Sequence, residues 1–281
     1  MAVNIHAQIG LTDMRLSIIT INRNNAEGLR KTMESVCSQT CKDFEYIVID
    51  GASSDGSVDV IKEYALRMPI NWVSERDTGI FNAMNKGIGR ATGQYLHFLN
   101  SGDALFDSGV VGNMLKKADE NNDPNILVGQ LYALGRDGSA RKTETNDDFS
   151  LLRFYVNFIP HPSTYIKRSL FAEYGLYDEK YRIVSDWKWF LQVVVMNGVK
   201  PVLTDADVVL FDTSGVSETN PELDARERRM VLEEVIPPAI LENYDSYSNV
   251  IFMMQHIRSR KWAYKMVKYL DKFLYLIEGR K

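Results

Sequence analysis

Between Leu16 and Leu99 the chain repeats a single local pattern: a short apolar run, a polar break, then apolar residues recurring every three or four positions. Leu16–Ile21 reads as a strand, followed by polar Asn22–Asn25 and a helical pattern through Leu29, Met33 and Val36. Phe44–Asp50 is a second strand, and Gly51–Ser57 is dense in turn and cap residues. The helix after it carries Val60, Ile61, Tyr64, Ala65 and Met68 and is stopped by Pro69. Ile70–Ser74, a helix from about Ile80 to Ala91, and the strand Gln94–Leu99 continue the series. Strands alternating with helices at this spacing predict an α/β fold with a mainly parallel sheet, because parallel neighbours need a crossover of a dozen or more residues. In such sheets ligands sit beyond the carboxyl ends of the strands, so the polar residue ending each strand is where chemistry is expected.

With 281 residues, 45% of them hydrophobic and 25% charged, the chain suits one large domain plus an appendage. No apolar stretch approaches the roughly 20 residues that span a bilayer. Met1–Met14 lacks the basic and apolar regions of a secretory signal, so a cytoplasmic protein is expected, and residues 1–14 are read as an extension. Cys37 and Cys41 are too few for a disulfide framework. A net charge of −4 argues against nucleic acid as partner.

The middle is less regular. A helix is predicted near Ser108–Glu120, a hairpin over Ile126–Thr145 turning at Asp137-Gly138, and a helix over Asp186–Met196. From Pro221 the pattern is helical, broken at Pro237-Pro238. The expected organisation is a main domain over 15–220, with a regular half (15–103) and a less regular half (104–220), and a helical extension over 221–281.

The strand ends supply Thr20 and Asn22, Asp50, Glu75 and Asp77, and Asn100 with Asp103. A lone Asp or Asn at such a place caps a helix or ends a strand. Several carboxylates crowded at one edge repel unless a cation or a donor-rich ligand lies there. Neither a G-x-G-x-x-G nor a G-x-x-x-x-G-K-[ST] loop follows any strand, which removes the kinase-like and dinucleotide readings. The remaining set suits base N–H and ribose hydroxyl groups, plus an acid for a hard cation between phosphates: a nucleotide-diphosphate site without a P-loop.

Thr20-Ile21-Asn22-Arg23, Val48 to Gly56, Glu75 to Ile80, Asn82 to Gly87 and Leu99-Asn100-Ser101-Gly102-Asp103 together resemble the family 2 glycosyltransferases, over roughly Arg15–Ser217. Ser185-Asp186-Trp187-Lys188-Trp189-Phe190 and Phe211–Ser217 match the later part of that pattern. The resemblance implies a GT-A fold for a catalytic domain over 15–220 with a nucleotide-binding half (15–103) and an acceptor half (104–220), a nucleotide-sugar donor (a UDP-sugar foremost, GDP- or dTDP-sugar as alternatives), Mn2+ or Mg2+, and inversion at the anomeric carbon. It further implies that Asp50 accepts from the base, with Thr20, Asn22 and Asn100 lining the same pocket. Asp77, Asn85 and Lys86 would border the nucleoside or diphosphate, Asp103 would bind the metal, and Asp186 would be the general base. Two departures stand out: the usual Asp-x-Asp-Asp cluster reads Asn100-Ser101-Gly102-Asp103, and Ser185 replaces the first acid of the pair at the base.

Inversion needs a base across the sugar from the diphosphate, and Asp186, at a helix start far from Asp103 in sequence, suits it. The plain alternative for Asp186 is an N-cap. His161, between Pro160 and Pro162 and after Phe154, Tyr155 and Phe158, is expected to line the acceptor or touch the diphosphate, or else to pack in a rigid turn. Trp187 is expected to shape the acceptor site and Trp189 to anchor the core. Ser217 ends a Gly-containing loop that would close near the diphosphate.

From Ile251 to Lys281 eight Lys and Arg face only Asp271 and Glu278, a balance of +6 that leaves −10 elsewhere. At 100° per residue Trp262, Met266, Leu270, Phe273 and Ile277 share a helical face, with Lys261, Lys265, Lys268 and Lys272 on another. Such a segment lies on an anionic membrane, suiting a lipid-linked saccharide acceptor, or docks on protein. The competing functional readings are a sugar nucleotidyltransferase, whose basic Gly-rich first loop is missing here, and a silent nucleotide-sugar binding module.

Overall fold

The computed structural model describes residues 14–278 apart from 136–137, 144–146, 157–158 and 216–218. Strand β1 (Leu16–Asn22) lies between β2 (Phe44–Asp50) and β4 (Tyr95–Phe98), with β3 (Asn71–Ser74) beyond β2, all paired in parallel. Every residue of β1 is buried because helices cover both faces. Leu16 and Ile18 enter a core with Leu29, Met33 and Val36 of α1 (Ala26–Cys37) and Val60 and Ile61 of α2 (Ser57–Ala65). On the other face Ile19 meets α3 (Ile80–Arg90) at Gly87, where a Cβ would come within 2.5 Å of Ile19 Cγ2. Burial on both faces is why these strands read as unbroken apolar runs.

The helix starts converge on the strand ends. Asn25 caps α1 by accepting from Gly28 N–H, and Asp55 accepts from the N–H groups of both Ala26 and Ser57, tying the starts of α1 and α2 together.

In the second half, β5 (Ala104–Leu105), α4 (Val110–Glu120), β6 (Ile126–Leu134), β7 (Ala140–Lys142) and α5 (Leu151–Val156) precede β8 (Thr164–Lys167), α6 (Arg168–Tyr174), α7 (Ser185–Phe190) and β9 (Val202–Asp212). The sheet order is β3-β2-β1-β4-β8-β6-β9-β5, with β7 paired to β6. The expected α/β architecture is therefore present, with one feature the sequence reading did not foresee: β8 runs antiparallel to both β4 and β6. The predicted hairpin is β6–β7, registered Tyr132↔Lys142, and the expected turn residue Asp137 lies outside the described residues. The helix expected over Asp186–Met196 begins at Ser185 and changes to π-helical hydrogen bonding over Leu191–Met196.

The chain divides into two compact units between Arg228 and Arg229. Helices Pro221–Val235, Pro238–Ser259 and Lys261–Glu278 account for the helical run expected from Pro221, interrupted where Pro237-Pro238 was read as a break. No described helix is long and apolar enough to cross a membrane.

Candidate active site

The last residues of β1 and β2, Asn22 and Asp50, are paired in register, which puts both at one edge of the sheet. Asp50 is fully buried; its Oδ1 accepts from Asn22 Nδ2 (2.8 Å) and Ser53 Oγ (2.5 Å), its Oδ2 from Ser74 Oγ (2.6 Å) and Ser53 N–H (3.0 Å). Burial alone would raise the pKa of this carboxyl, but the donors from Ser53, Ser74 and Asn22 outweigh it and hold the pKa below the usual value. Asp50 is thus an ionised acid with four protein donors already in place. Beside it, the buried side-chain carbonyl of Asn22 has no partner. Thr20 lies deeper than a pocket wall would: it is fully buried and its hydroxyl donates to Leu99 O (2.7 Å) and meets Tyr46 Oη (3.0 Å). Its side-chain oxygen is thus engaged inside the sheet.

Asp77 reaches back over the end of β2, where a Cβ on Gly51 would lie 2.9 Å from Asp77 Oδ2. Lys86 Nζ bonds Asp77 Oδ1 (2.8 Å), Glu75 Oε1 (2.9 Å) and Arg76 O (2.9 Å), so its three donors tether the segment 75–77 to α3. Asn85 brackets another stretch of backbone: Nδ2 donates to Tyr177 O (2.9 Å) and Glu179 Oε1 (3.0 Å), and Oδ1 accepts from Tyr177 N–H (3.1 Å). Both residues border the strand ends, and their polar atoms are engaged by the protein.

The loop Asn100–Asp103 continues β4 alongside β1, with Ser101 N–H donating to Ile21 O (3.1 Å) and Asn25 Nδ2 to Ser101 O (3.2 Å). Asp103, Asp50 and Asn22 therefore share one sheet edge. Asp103 is buried, and β9 brings Asp212 against it: the Asp212 N–H donates to Asp103 Oδ1 (2.9 Å), and a Cβ on Gly102 would lie 2.8 Å from Asp212 Oδ2. Burial and the charge of Asp212 push the Asp103 pKa up to about 7, against the Asp212 N–H and Lys31, which lower it. The side-chain carbonyl of Asn100 is buried without a partner. Among the described residues no group of three or more His, Cys, Asp or Glu is placed to hold a metal. The oxygens present nonetheless fit a hard divalent cation, since two carboxylates crowd where a positive charge would relieve them. The protein would supply only part of its shell.

Asp186, in the first turn of α7, keeps 28% of its side chain open to solvent. Its Oδ1 accepts from Trp187 N–H (2.8 Å), and its Oδ2 lies 3.7 Å from His161 Nδ1. Burial of the carboxyl raises its pKa to about 6, against the opposing influence of the Trp187 N–H and Arg228. The capping alternative is met only by that one neighbouring N–H. The backbone leading into α7 is held by buried Glu227, which accepts from Arg182 (2.9 Å) and Ile183 (2.9 Å). His161 is 5% exposed and walled by Phe98, Tyr177 and Phe190, as the packing alternative expects, and its ring nitrogens face Tyr177 and Asp186. Trp187 is also buried, with the Arg228 guanidinium 4.8 Å above its ring, which closes it to an acceptor in this conformation. Trp189 is core, as expected, stacked on Phe171 at 4.5 Å. Ser217 lies outside the described residues.

Ser53, Ser74, Tyr177, Asp212 and Glu227 escaped the sequence reading. Ser53, three residues after Asp50 in a turn-rich segment, and Asp212, inside the Phe211–Ser217 match, carried a signal.

An open edge of parallel strands bearing these acids, beside a half with antiparallel strands, is the GT-A arrangement. The chain belongs to the glycosyl transferase family 2, whose family model matches residues 17–175. Among its relatives, a PGL/p-HBAD biosynthesis glycosyltransferase of Mycobacterium bovis is 31% identical over 176 residues, covering 61% of this chain and 66% of that protein. Among solved structures, Staphylococcus aureus TarS (residues 1–349) is similar with a TM-score of 0.62 at 16% identity, covering 79% of this chain and 66% of that one. TarS is also known in complex with UDP-GlcNAc. The mannosyltransferase PcManGT of Pyrobaculum calidifontis, in complex with GDP-Man and Mn2+, is similar with a TM-score of 0.59 at 17% identity, covering 89% of this chain and 72% of that one.

Proposed function

We propose that this chain transfers a sugar, with inversion, from a nucleotide-diphosphate sugar to a hydroxyl of a saccharide or lipid-linked saccharide acceptor. The observation that carries this reading is Asp186: a carboxyl partly open to solvent, raised to about 6, and with no hydrogen bond to its Oδ2 among the described residues. At neutral pH it is ionised and basic enough to take a proton from an attacking hydroxyl. Asp50 and Asn22 would receive the nucleoside, the unpartnered Asn22 carbonyl accepting a base or ribose donor. Asn100 would line the nucleotide pocket, and Asp103 would hold Mn2+ or Mg2+, which when bound offsets charge on the departing diphosphate. Asp77, Asn85 and Lys86 would frame the donor by fixing the backbone beside it.

A UDP-sugar is the favoured donor, with GDP- or dTDP-sugars as alternatives; the complexes of TarS and PcManGT support both a uridine and a guanosine nucleotide in this fold. A thermal-shift panel of UDP, GDP, dTDP and CDP with Mn2+ is expected to single out UDP, raising stability by about 2.7 kcal/mol at a hundredfold excess over Kd. No shift with any nucleotide would overturn the donor assignment. Binding without donor hydrolysis or transfer to any acceptor would favour the silent module, to which the depleted Asn100–Gly102 cluster points.

The domain assignment carries the same proposal: residues 15–220 catalytic and 221–281 an appendage. In the second unit Trp262, Leu270 and Phe273 are 67%, 58% and 58% exposed, consistent with residues 251–281 resting on the cytoplasmic face of a membrane. The intact protein is expected to co-sediment with vesicles containing phosphatidylglycerol and not with pure phosphatidylcholine, and to lose that binding when Lys261, Lys265, Lys268 and Lys272 become Glu. Equal recovery of both proteins with both vesicles would favour docking on protein.

A further inference from the structure

We propose that His161, held in one tautomer by Tyr177, is a positioning residue that aims Asp186 and sets the pH range in which it acts. The inference rests on Asp186 being the base. His161 opens the short 3-10 turn His161–Ser163, and its ring is enclosed by Phe98 (4.9 Å), Tyr177 (5.7 Å) and Phe190 (5.9 Å) between centroids. It is a fixed platform with two usable nitrogens. Nε2 lies 2.9 Å from the buried hydroxyl of Tyr177, and Nδ1 lies 3.7 Å from Asp186 Oδ2.

A buried tyrosine hydroxyl must place its proton on an acceptor, and Nε2 is the acceptor within reach. The Tyr177 proton therefore leaves Nε2 bare and puts the imidazole proton on Nδ1, directed at Asp186. The opposite tautomer would turn a nitrogen lone pair toward a carboxylate, so both neighbours select the same state. Burial keeps the ring neutral, its pKa lowered to about 3, and it acts as a donor without charge. Trp187 N–H bonds Oδ1, while His161 Nδ1–H points at Oδ2 from 3.7 Å, beyond hydrogen-bond length, so the carboxylate is bonded at one oxygen, steered at the other, and Oδ2 stays open to the acceptor hydroxyl.

The other groups acting on Asp186 are accounted for. Arg228 favours its ionised form and Asp224 opposes it, while these two pair with each other at 2.8 Å. Lys188 turns away to Asp178 (2.7 Å), Glu227 is engaged by backbone N–H groups, and His97, on the adjacent β4, is buried against Pro162 O (2.7 Å). None substitutes for a donor at Nδ1. Tyr177 is itself fixed by Asn85, which grips its backbone N–H and carbonyl, so the series runs from α3 to the base.

The test is the pH profile of kcat for the full chain, with KM for the donor measured alongside. Tyr177→Phe removes one of the two groups that select this tautomer and is expected to move the acid limb upward by about half a unit, because a weaker donor beside a carboxylate raises its pKa. KM for the donor should stay unchanged. His161→Asn and His161→Leu are close in size and both branch at Cγ, but only Asn retains a donor near the Nδ1 position. Leu is expected to lose about tenfold or more in kcat, each tenfold being about 1.4 kcal/mol, and Asn to recover most of it. Equal kcat for Asn and Leu, or an unshifted acid limb in Tyr177→Phe, overturns the proposal. Where the His161 variants fail to fold, the Tyr177→Phe profile alone decides. If instead Asp186→Asn keeps its turnover, the base assignment itself has failed.

Discussion

Asp186→Asn is expected to abolish turnover while leaving nucleotide-diphosphate binding close to wild type. General-base catalysis contributes about 10²–10⁴ in rate, and an amide cannot take the proton. The substitution is conservative in every other respect: the amide oxygen can still accept from Trp187 N–H, so the start of α7, held independently by Glu227, is preserved. The wild-type enzyme should also carry the mark of this group in its pH dependence. The carboxyl is raised to about 6 by burial, so it is protonated and inactive below that value. Turnover should climb with pH up to about 6 and level off above it. Single-turnover product formation set beside calorimetric UDP affinity separates the two effects; near-normal turnover in the variant would remove Asp186 from the mechanism.

The second large effect is expected at Asp103. Asp103→Asn should cut turnover by about 10²-fold or more, the scale seen when an electrostatic stabiliser of a reacting group is removed. It should also abolish the strengthening of donor binding by Mn2+, so that affinity with the metal matches affinity in chelator. The fold should not suffer. Asp103 lies buried against Asp212, and replacing one of two crowded carboxylates with an amide relieves repulsion while keeping an acceptor for the Asp212 N–H. A variant melting no lower than wild type but indifferent to Mn2+ is the expected result. Undiminished tightening of UDP binding by Mn2+ would show that the cation is held elsewhere.

The parallel half of the fold was legible because β1 to β4 are apolar runs bounded by polar breaks, and five ordered motifs carried the family. What stayed hidden was geometry that depends on distant partners. Thr20 reads as a pocket residue by position, yet its hydroxyl turns to Leu99, 79 residues on. His161 and Trp187 read as surface for an acceptor and are enclosed by rings and by Arg228. Strand β9 mixes Thr204, Asp205 and Asp207 into its run, which masks it as a loop, and with it the approach of Asp212 to Asp103 from 109 residues away. Asp50 could be picked out from its motif; that Ser53 and Ser74 would surround it could not.

The position of β1 inside the four-stranded parallel group β3-β2-β1-β4 has a cost during synthesis. Both of its faces are apolar, yet its pairing partners emerge later: β2 some 28 residues on and β4 some 79. Until they leave the ribosome, a bare, sticky ribbon waits with unpaired edges, the kind of segment on which nascent chains aggregate. The same non-local pairing makes folding slow. Holding that ribbon until β4 arrives is a task suited to a chaperone.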